Sequence, residues 1–294
     1  MKNVKELFVG IATAGALVCS AAPEQNQLKN SVVETPATFC RVVPERAGDF
    51  AWENDKIAFR VYGPHLRKGG ENNGIDCWLK RVDYPIINRW YGQMKTKSYH
   101  KDWGEGHDPY HVGSTAGCGG TGIWLNGKRE GLETYTKQEV IECTQARSQF
   151  KLTYEREING VKYGEEKTIT IELGNRLFRA DCVFTKDGQP AADLPICIGL
   201  TTHNGHAKTT SDKKNGWIAC WEKIAGSYVA TGALIDPALV DEIKEVKVKQ
   251  KDGSHIFLIS KTDASGRLSY QAGYGWAKAG EITTQQAWEN YLNK

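Results

Sequence analysis

Lys56-Ile-Ala-Phe-Arg-Val-Tyr62 carries the period that decides the fold. Ile57, Phe59 and Val61 fall on one side of an extended chain, and Ala58, Arg60 and Tyr62 on the other. The same alternation returns in Phe150-Lys-Leu-Thr-Tyr154, Thr168-Ile-Thr-Ile-Glu-Leu173, Val246-Lys-Val248 and Ile256-Phe-Leu-Ile259. Turn signals punctuate these runs: Asn159-Gly160, Gly174-Asn175, Lys186-Asp-Gly188, Lys251-Asp-Gly253 and Ala264-Ser-Gly266. Short alternating runs separated by such turns predict antiparallel hairpins in a large all-β sandwich. Helical signals are few. The clearest is the C-terminus, where Thr283-x-x-Gln286 matches a capping box and Trp288 faces Leu292. Pro237 to Glu242 reads as one helical turn before a strand.

The chain has 294 residues, 40% of them apolar and 25% charged, enough for a sizeable core. Its formal charge of +3 is too balanced for nucleic-acid binding through a broad basic surface. Lys2 and Lys5 precede the apolar run Leu7 to Val18 and the small residues Cys19-Ser-Ala-Ala22, the pattern of a secretory signal peptide cut after Ala21. Residues 1–21 are therefore read as a signal peptide, 22–38 as a polar linker and 39–294 as one β-domain. No internal apolar stretch is long enough to span a bilayer. Cys19 also stands where a lipoprotein would carry its lipid, although Val18 fits that pattern poorly. The expected location is the periplasm, or the cell envelope if Cys19 is lipidated. The other seven cysteines are scattered, with no Cys-x-x-Cys pair, and several lie in apolar runs, which reads as buried thiols, with one or two bridges as the alternative.

Residues 63–122 differ in kind: they are long, weakly periodic, and rich in Gly, aromatic and charged side chains. Such a stretch inside a compact domain usually builds a functional surface. Gly117-Cys-Gly-Gly-Thr-Gly122 matches a dinucleotide fingerprint literally, but the glycines follow a loop and lead into a strand and turn, so they read as a backbone bend. Tyr99-His-Lys-Asp-Trp-Gly-Glu-Gly-His-Asp-Pro-Tyr-His111 gathers three of the seven histidines with acids and aromatics, a mixture suited to sugar rings. A divalent cation held by His100, Glu105, Asp108 and His111 is an alternative there, though Pro109 argues against a helical clasp. In Gly74-Ile-Asp-Cys-Trp-Leu-Lys-Arg81, the side chains of Asp76, Trp78 and Lys80 share a face, with solvent the default reading and a cleft the functional one. Arg60 and Tyr62 could join that face, and Arg60 with Lys80 would then hold a ligand carboxylate. Thr201-Thr-His-Asn-Gly-His206 sits at a strand end, where His203 and His206 serve either catalysis or turn capping. Tyr274, Trp276 and Lys278 recur at period two, for a cleft or for the core.

Several longer segments resemble one known family. They are Glu45 to Pro64, Gly74 to Arg81, Tyr99 to Gly106, Gly117-Cys-Gly-Gly-Thr-Gly-Ile-Trp124, Gly216-Trp-Ile-Ala-Cys-Trp-Glu222 and Tyr274-Gly-Trp-Ala-Lys-Ala-Gly280. Together they resemble domain of unknown function family 4861, exported bacterial proteins that occur with polysaccharide-degrading enzymes. The resemblance spans Glu45 to the C-terminus and implies a galactose-mutarotase-like β-supersandwich. It further implies an oligosaccharide dehydratase, a hydro-lyase that removes water from a terminal uronic acid and leaves a 4,5-unsaturated sugar. His107 departs from the family pattern, which favours His100 as the working histidine. Such an elimination needs a base for the C5 proton, an acid for the C4 hydroxyl and cations for the carboxylate. On this reading His100 is base or acid, Tyr110 or Glu105 its counterpart, Arg60 and Lys80 the carboxylate holders, and Trp78 the stacking ring. Asp76, His203 and Trp276 complete the substrate contacts. No cofactor is required, and the chain is expected to act as a monomer on an oligosaccharide. The other classes open at this point are a non-catalytic sugar-binding module, an epimerase or mutarotase using a His–Glu pair, and a glycoside hydrolase using two of Asp76, Glu105 and Asp108.

Overall fold

In the computed structural model residues 35–294 are described. The signal peptide, Cys19 and most of the linker lie outside the described residues. The turn chemistry explains the hairpins directly. Asn126-Gly127, Asn159-Gly160, Asp187-Gly188 and Ala225-Gly226 each join two strands through two residues of positive φ. Such mirror-image turns match the twist of the strands they connect. Three antiparallel sheets result among the described residues. The first has the order Phe39–Val43, Asp49–Glu53, Ala58–Val61, Ile75–Lys80, Gly106–His107. The largest runs Lys208–Asp212, Trp217–Ile224, Ser227–Leu234, Arg267–Trp276, Leu177–Lys186, Val161–Glu172, Arg147–Ile158, Lys137–Cys143, with Gln189–Pro190 beside Leu177–Lys186. The third runs Glu242–Val246, His255–Lys261, Pro195–Thr201, Cys118–Leu125, Lys128–Glu130. The fold is a large all-β antiparallel sandwich with a short C-terminal helix.

Aromatic rings lock the first sheet onto the largest. Phe50 stacks on Phe150 with centroids 4.4 Å apart, while Trp52 and Phe59 present their faces to the edges of Phe178 and Tyr274. Phe50, Trp52 and Phe59 share a face because Trp52 pairs with Phe59 across neighbouring strands. The long hairpin Arg147–Ile158 and Val161–Glu172 keeps the expected in-and-out alternation of burial.

Elsewhere the alternation misleads. Ala58–Val61 and Ile75–Lys80 are buried on both faces, not solvent-facing on one. Residues 82–111 fold over the outer face, with the helix Ile87–Gln93 packing Trp90 and Tyr91 on Trp78. Two glycines permit this closeness. At Gly106 (φ 131) a Cβ would overlap Leu79 O, and at Gly117 (φ 60) it would overlap Ile75 O. The Gly117–Gly122 stretch is thus largely strand, Cys118–Leu125, and not a loop before one. The strand expected over 246–248 ends at Val246, and Ala264-Ser-Gly266 carries the chain between two sheets rather than closing a hairpin. Pro237–Leu239 is the expected helical turn. The C-terminal helix is Gln285–Leu292, capped by Thr284, whose side chain accepts from Ala287 N, rather than by Thr283. The seven described cysteines are unbridged, and all except Cys143 are buried.

Candidate active site

The charges on the covered face of the first sheet are consumed within it. Arg60 is paired with Asp76 across neighbouring strands. Its guanidinium also meets Asp108 at 3.1 Å and Asp49 at 3.8 Å. Trp78, Tyr62 and Tyr99 surround it at 5.3–5.7 Å. Burial pushes the Asp49 carboxyl up to about 6, and pushes Asp108 up as well, with the neighbouring Asp76 charge adding to it. Lys80 is fully buried and its three protons have three acceptors at 2.8 Å: Glu53, Asn54 O and Tyr84 O. Glu53 in turn accepts from Ile86 N and Ile87 N at the start of the helix. The expected carboxylate clamp of Arg60 and Lys80 is therefore a structural ion network in which both cations are already neutralised. Trp78 lies between Trp90, Tyr91 and Tyr99 and offers no open face to a sugar.

The loop from Ser98 to Val112 has other contacts. Tyr99 and Asp108 turn inward to the first sheet, while His107 and Tyr110 turn toward the largest sheet. His100 packs on Tyr99 at 4.5 Å with its side chain 61% exposed. Its Nδ1 lies 2.9 Å from Asp108 O and 3.4 Å from Asp108 Oδ2, both acceptors, so Nδ1 carries a proton, while Nε2 has no hydrogen bond among the described residues. Glu105 is held by Tyr84 Oη, Arg89 and Trp90 Nε1, at 2.7, 2.5 and 3.0 Å. His111 Nε2 is 2.9 Å from Asp252. Of the four residues considered for a cation only His100 and Asp108 meet, while Glu105 and His111 are held by other partners, and no group of three or more His, Cys, Asp or Glu among the described residues could hold a metal ion.

A tighter constellation forms at the far end of the loop. His203 Nδ1 is 2.5 Å from Glu222, and its Nε2 is 2.9 Å from His111 O. Both ring nitrogens face acceptors, which suits a ring protonated at both. Tyr110 abuts the ring edge-on at 4.6 Å. Burial pushes the Tyr110 hydroxyl well up, so it stays a donor, and it is buried without a hydrogen-bond partner. His203 holds φ 44 and Asn204 φ 63, the left-handed turn conformation that His and Asn adopt more readily than most residues. Glu222 lies on the same face as Trp276, because each pairs with Val229 from opposite sides.

Trp276 forms a floor under charged side chains. Arg81 lies over its ring at 5.5 Å, Lys278 at 5.8 Å, and the His107 ring is 5.8 Å away. Arg81 and Lys278 share one acid, Asp102, which Arg81 grips at 2.8 and 2.9 Å and Lys278 at 3.6 Å. Burial opposes ionisation of Asp102, but hydrogen bonds from Arg81 and Gly104 N outweigh it and hold the carboxyl at about 2. Two cations against one carboxylate leave a surplus positive charge at this rim. Burial also lowers His107, which keeps that ring neutral. Among the expected site residues, the structure brings His203 and Tyr110 together and places Trp276 on the sheet that carries their neighbour Glu222. It leaves Arg60, Asp76, Trp78 and Lys80 in the covered face, Glu105 in its own hydrogen bonds and His100 on the rim. Glu222, Arg81 and Asp102 were not expected there, whereas Lys278 belongs to the period-two run read as either cleft or core. The available signal for Glu222 was its inward phase behind Ile218 and Cys220, where a carboxylate stands on an otherwise apolar face.

Likeness to solved structures is distant. An α-N-acetylgalactosaminidase from Bifidobacterium bifidum is 13% identical, with TM-score 0.39, over 87% of this chain and 38% of that one. A Klebsiella pneumoniae protein provisionally assigned as an aldose 1-epimerase is 10% identical, with TM-score 0.38, over 88% and 89%. A GH36 α-galactosidase from Geobacillus stearothermophilus is 7% identical, with TM-score 0.37, over 81% and 40%. The chain spans about two fifths of the two glycosidases, and likenesses at these scores carry no argument about its chemistry. Sequence kinship is closer. Uncharacterized protein P7 of Formosa agariphila is 33% identical over 275 residues, covering 90% of this chain and 68% of that protein. The model described as domain of unknown function (DUF4861) matches residues 8–294, and on both counts the chain belongs to that family.

Proposed function

We propose that the protein is an exported, monomeric enzyme of polysaccharide breakdown. Its reaction is the removal of water from a terminal uronic acid of an oligosaccharide, leaving a 4,5-unsaturated sugar. The observation that carries the reading is His203, held between Glu222 and His111 O with Tyr110 at its edge. A histidine whose Nδ1 is backed by a carboxylate is a suitable acid for a leaving hydroxyl that takes the place of His111 O at its Nε2. The surplus positive charge of Arg81 and Lys278 suits the substrate carboxylate and the enediolate that develops from it. His100, with Nε2 bare and exposed, is the proton acceptor in this scheme. Tyr110 supplies a neutral donor, and the reaction requires no cofactor.

A binding-only role has its own observation in Trp103, which is 50% exposed with Lys101 and Lys97 over its ring at 4.5 and 5.7 Å. One experiment separates the two. Purified protein is mixed with uronate-ended oligosaccharides prepared from pectin and from ulvan, with and without chelator. Ultraviolet absorbance and product mass are followed together. The proposal expects rising absorbance, loss of one water and no chain cleavage, unaffected by chelator. Measurable binding with unchanged substrate mass and unchanged sugar configuration by NMR would replace it with the binding-only reading, and a changed configuration at constant mass with an epimerase using the His203–Glu222 pair.

A further inference from the structure

Cys40, in Phe39–Val43 of the first sheet, and Cys143, at the end of the edge strand Lys137–Cys143, meet where the two sheets join. Their surroundings are tied together. Thr38 N donates to Gln145 O at 2.8 Å, Thr38 Oγ1 donates to Thr144 O at 2.6 Å, and Thr38 Oγ1 also pairs with Ser148 Oγ at 2.8 Å. Cys143 Sγ lies 3.9 Å from Cys40 O and 3.7 Å from Ser148 Oγ. A disulfide needs its Cα atoms within about 7 Å and its side chains aimed together, and a Cys143 sulfur lying against the Cys40 backbone on clamped strands is close to meeting that demand.

We propose that Cys40 and Cys143 form a disulfide by exchange with a small-molecule or protein disulfide, covalently fastening the first sheet to the edge of the largest one.

The two thiols are suited to different steps. Cys143 is exposed, and Cys40 beside it pushes its thiol down to about 6, which favours Cys143 as the attacking group. The Cys143 thiolate attacks one sulfur of the incoming disulfide, forming a mixed disulfide and expelling the other half as a thiolate. The buried Cys40 thiol then gives up its proton and attacks Cys143 Sγ, expelling the second half. One incoming disulfide is reduced to two thiols while two cysteines become one bridge, so atoms and electrons balance. The other adjacent pair, Cys77 and Cys118, is fully buried and inaccessible to such an oxidant in the folded state. Cys40 and Cys143 are 103 residues apart, so the bridge closes a long loop of the unfolded chain.

The test exposes the folded full-length chain to oxidised glutathione, then alkylates it and maps its peptides without reduction. The expected result is a linked peptide pair carrying Cys40 and Cys143, with an unfolding midpoint about 5–10 °C higher that dithiothreitol restores to its starting value. Cys143→Ser should show neither linkage nor shift, and Cys40→Ser should keep glutathione on Cys143. A wild-type chain that retains glutathione on Cys143 without linkage, or in which both cysteines still alkylate, would overturn the proposal.

Discussion

His255 makes the protein acid-labile in a way that can be isolated. It is buried at the end of the third sheet, beside the segment that leads away from the site loop. Its Nε2 accepts from Ala116 N at 3.0 Å, and its Nδ1 donates to Gly253 O at 3.2 Å. That pattern fixes the neutral ring, because a proton on Nε2 would face the Ala116 N–H. Burial is the first cause of its lowered basicity and Arg129 the second; together they bring it from 6.5 to about 4. The unfolded chain therefore binds a proton between about pH 6.5 and pH 4 that the folded chain refuses. Stability from this group is complete above about 6.5 and falls as pH drops to about 4. At roughly 1.4 kcal/mol per pH unit, the loss amounts to about 3 kcal/mol. Urea unfolding followed by tryptophan fluorescence, at pH 7 and pH 4.5, measures it. His255→Gln keeps an acceptor for Ala116 N but cannot titrate. The variant should lose less stability over that interval than the wild type by about 2–3 kcal/mol. Parallel losses in the two proteins would refute the argument.

Three further outcomes follow from the placements described. Lys80→Ala leaves Glu53 in a fully buried site without its cation, and should lower unfolding free energy by about 3–5 kcal/mol in denaturant titration. A stable Lys80→Ala protein with weakened uronate binding would instead return Lys80 to the ligand. His100→Ala removes a side chain that is 61% exposed and touches only Tyr99 and Asp108, so its unfolding midpoint should stay close to wild type while turnover of uronate-ended substrates falls by roughly 10²–10⁴; unchanged turnover removes His100 from the scheme. Lys278→Ala takes away the surplus positive charge near Trp276 and should raise KM for uronate-ended substrates, with little effect on binding of neutral oligosaccharides measured by calorimetry. An equal effect on both would show that the charge does not read the carboxylate.

The parts of the fold legible in the sequence are those set by local chemistry. Asn159-Gly160 and Lys186-Asp-Gly188 announce their turns because few residues tolerate two successive positive φ angles. The strands flanking Asn159-Gly160 bury one face only, so their alternation is plain. Ala58–Val61 and Ile75–Lys80 defeat the same reading, because Arg60 and Lys80 look solvent-facing until residues 82–111 fold over them. Their burial is settled by partners such as Asp108, 48 positions away from Arg60. The site divides along the same line. The histidine-rich loop and the strand-end His203 stand out by residue type, whereas the His203–Glu222 pair depends on two strand ends meeting. The surplus charge of Arg81 and Lys278 depends on which cation Asp102 leaves unmatched, a property of geometry alone.

The most direct test of the account compares wild type with Glu222→Gln on a uronate-ended oligosaccharide, recording the ultraviolet trace of the unsaturated product. Gln keeps the size and one acceptor but removes the negative charge 2.5 Å from His203 Nδ1. The account predicts a fall in kcat of roughly 10²–10⁴ with folding intact and KM little changed. A Glu222→Gln enzyme that releases unsaturated product at the wild-type rate would contradict it.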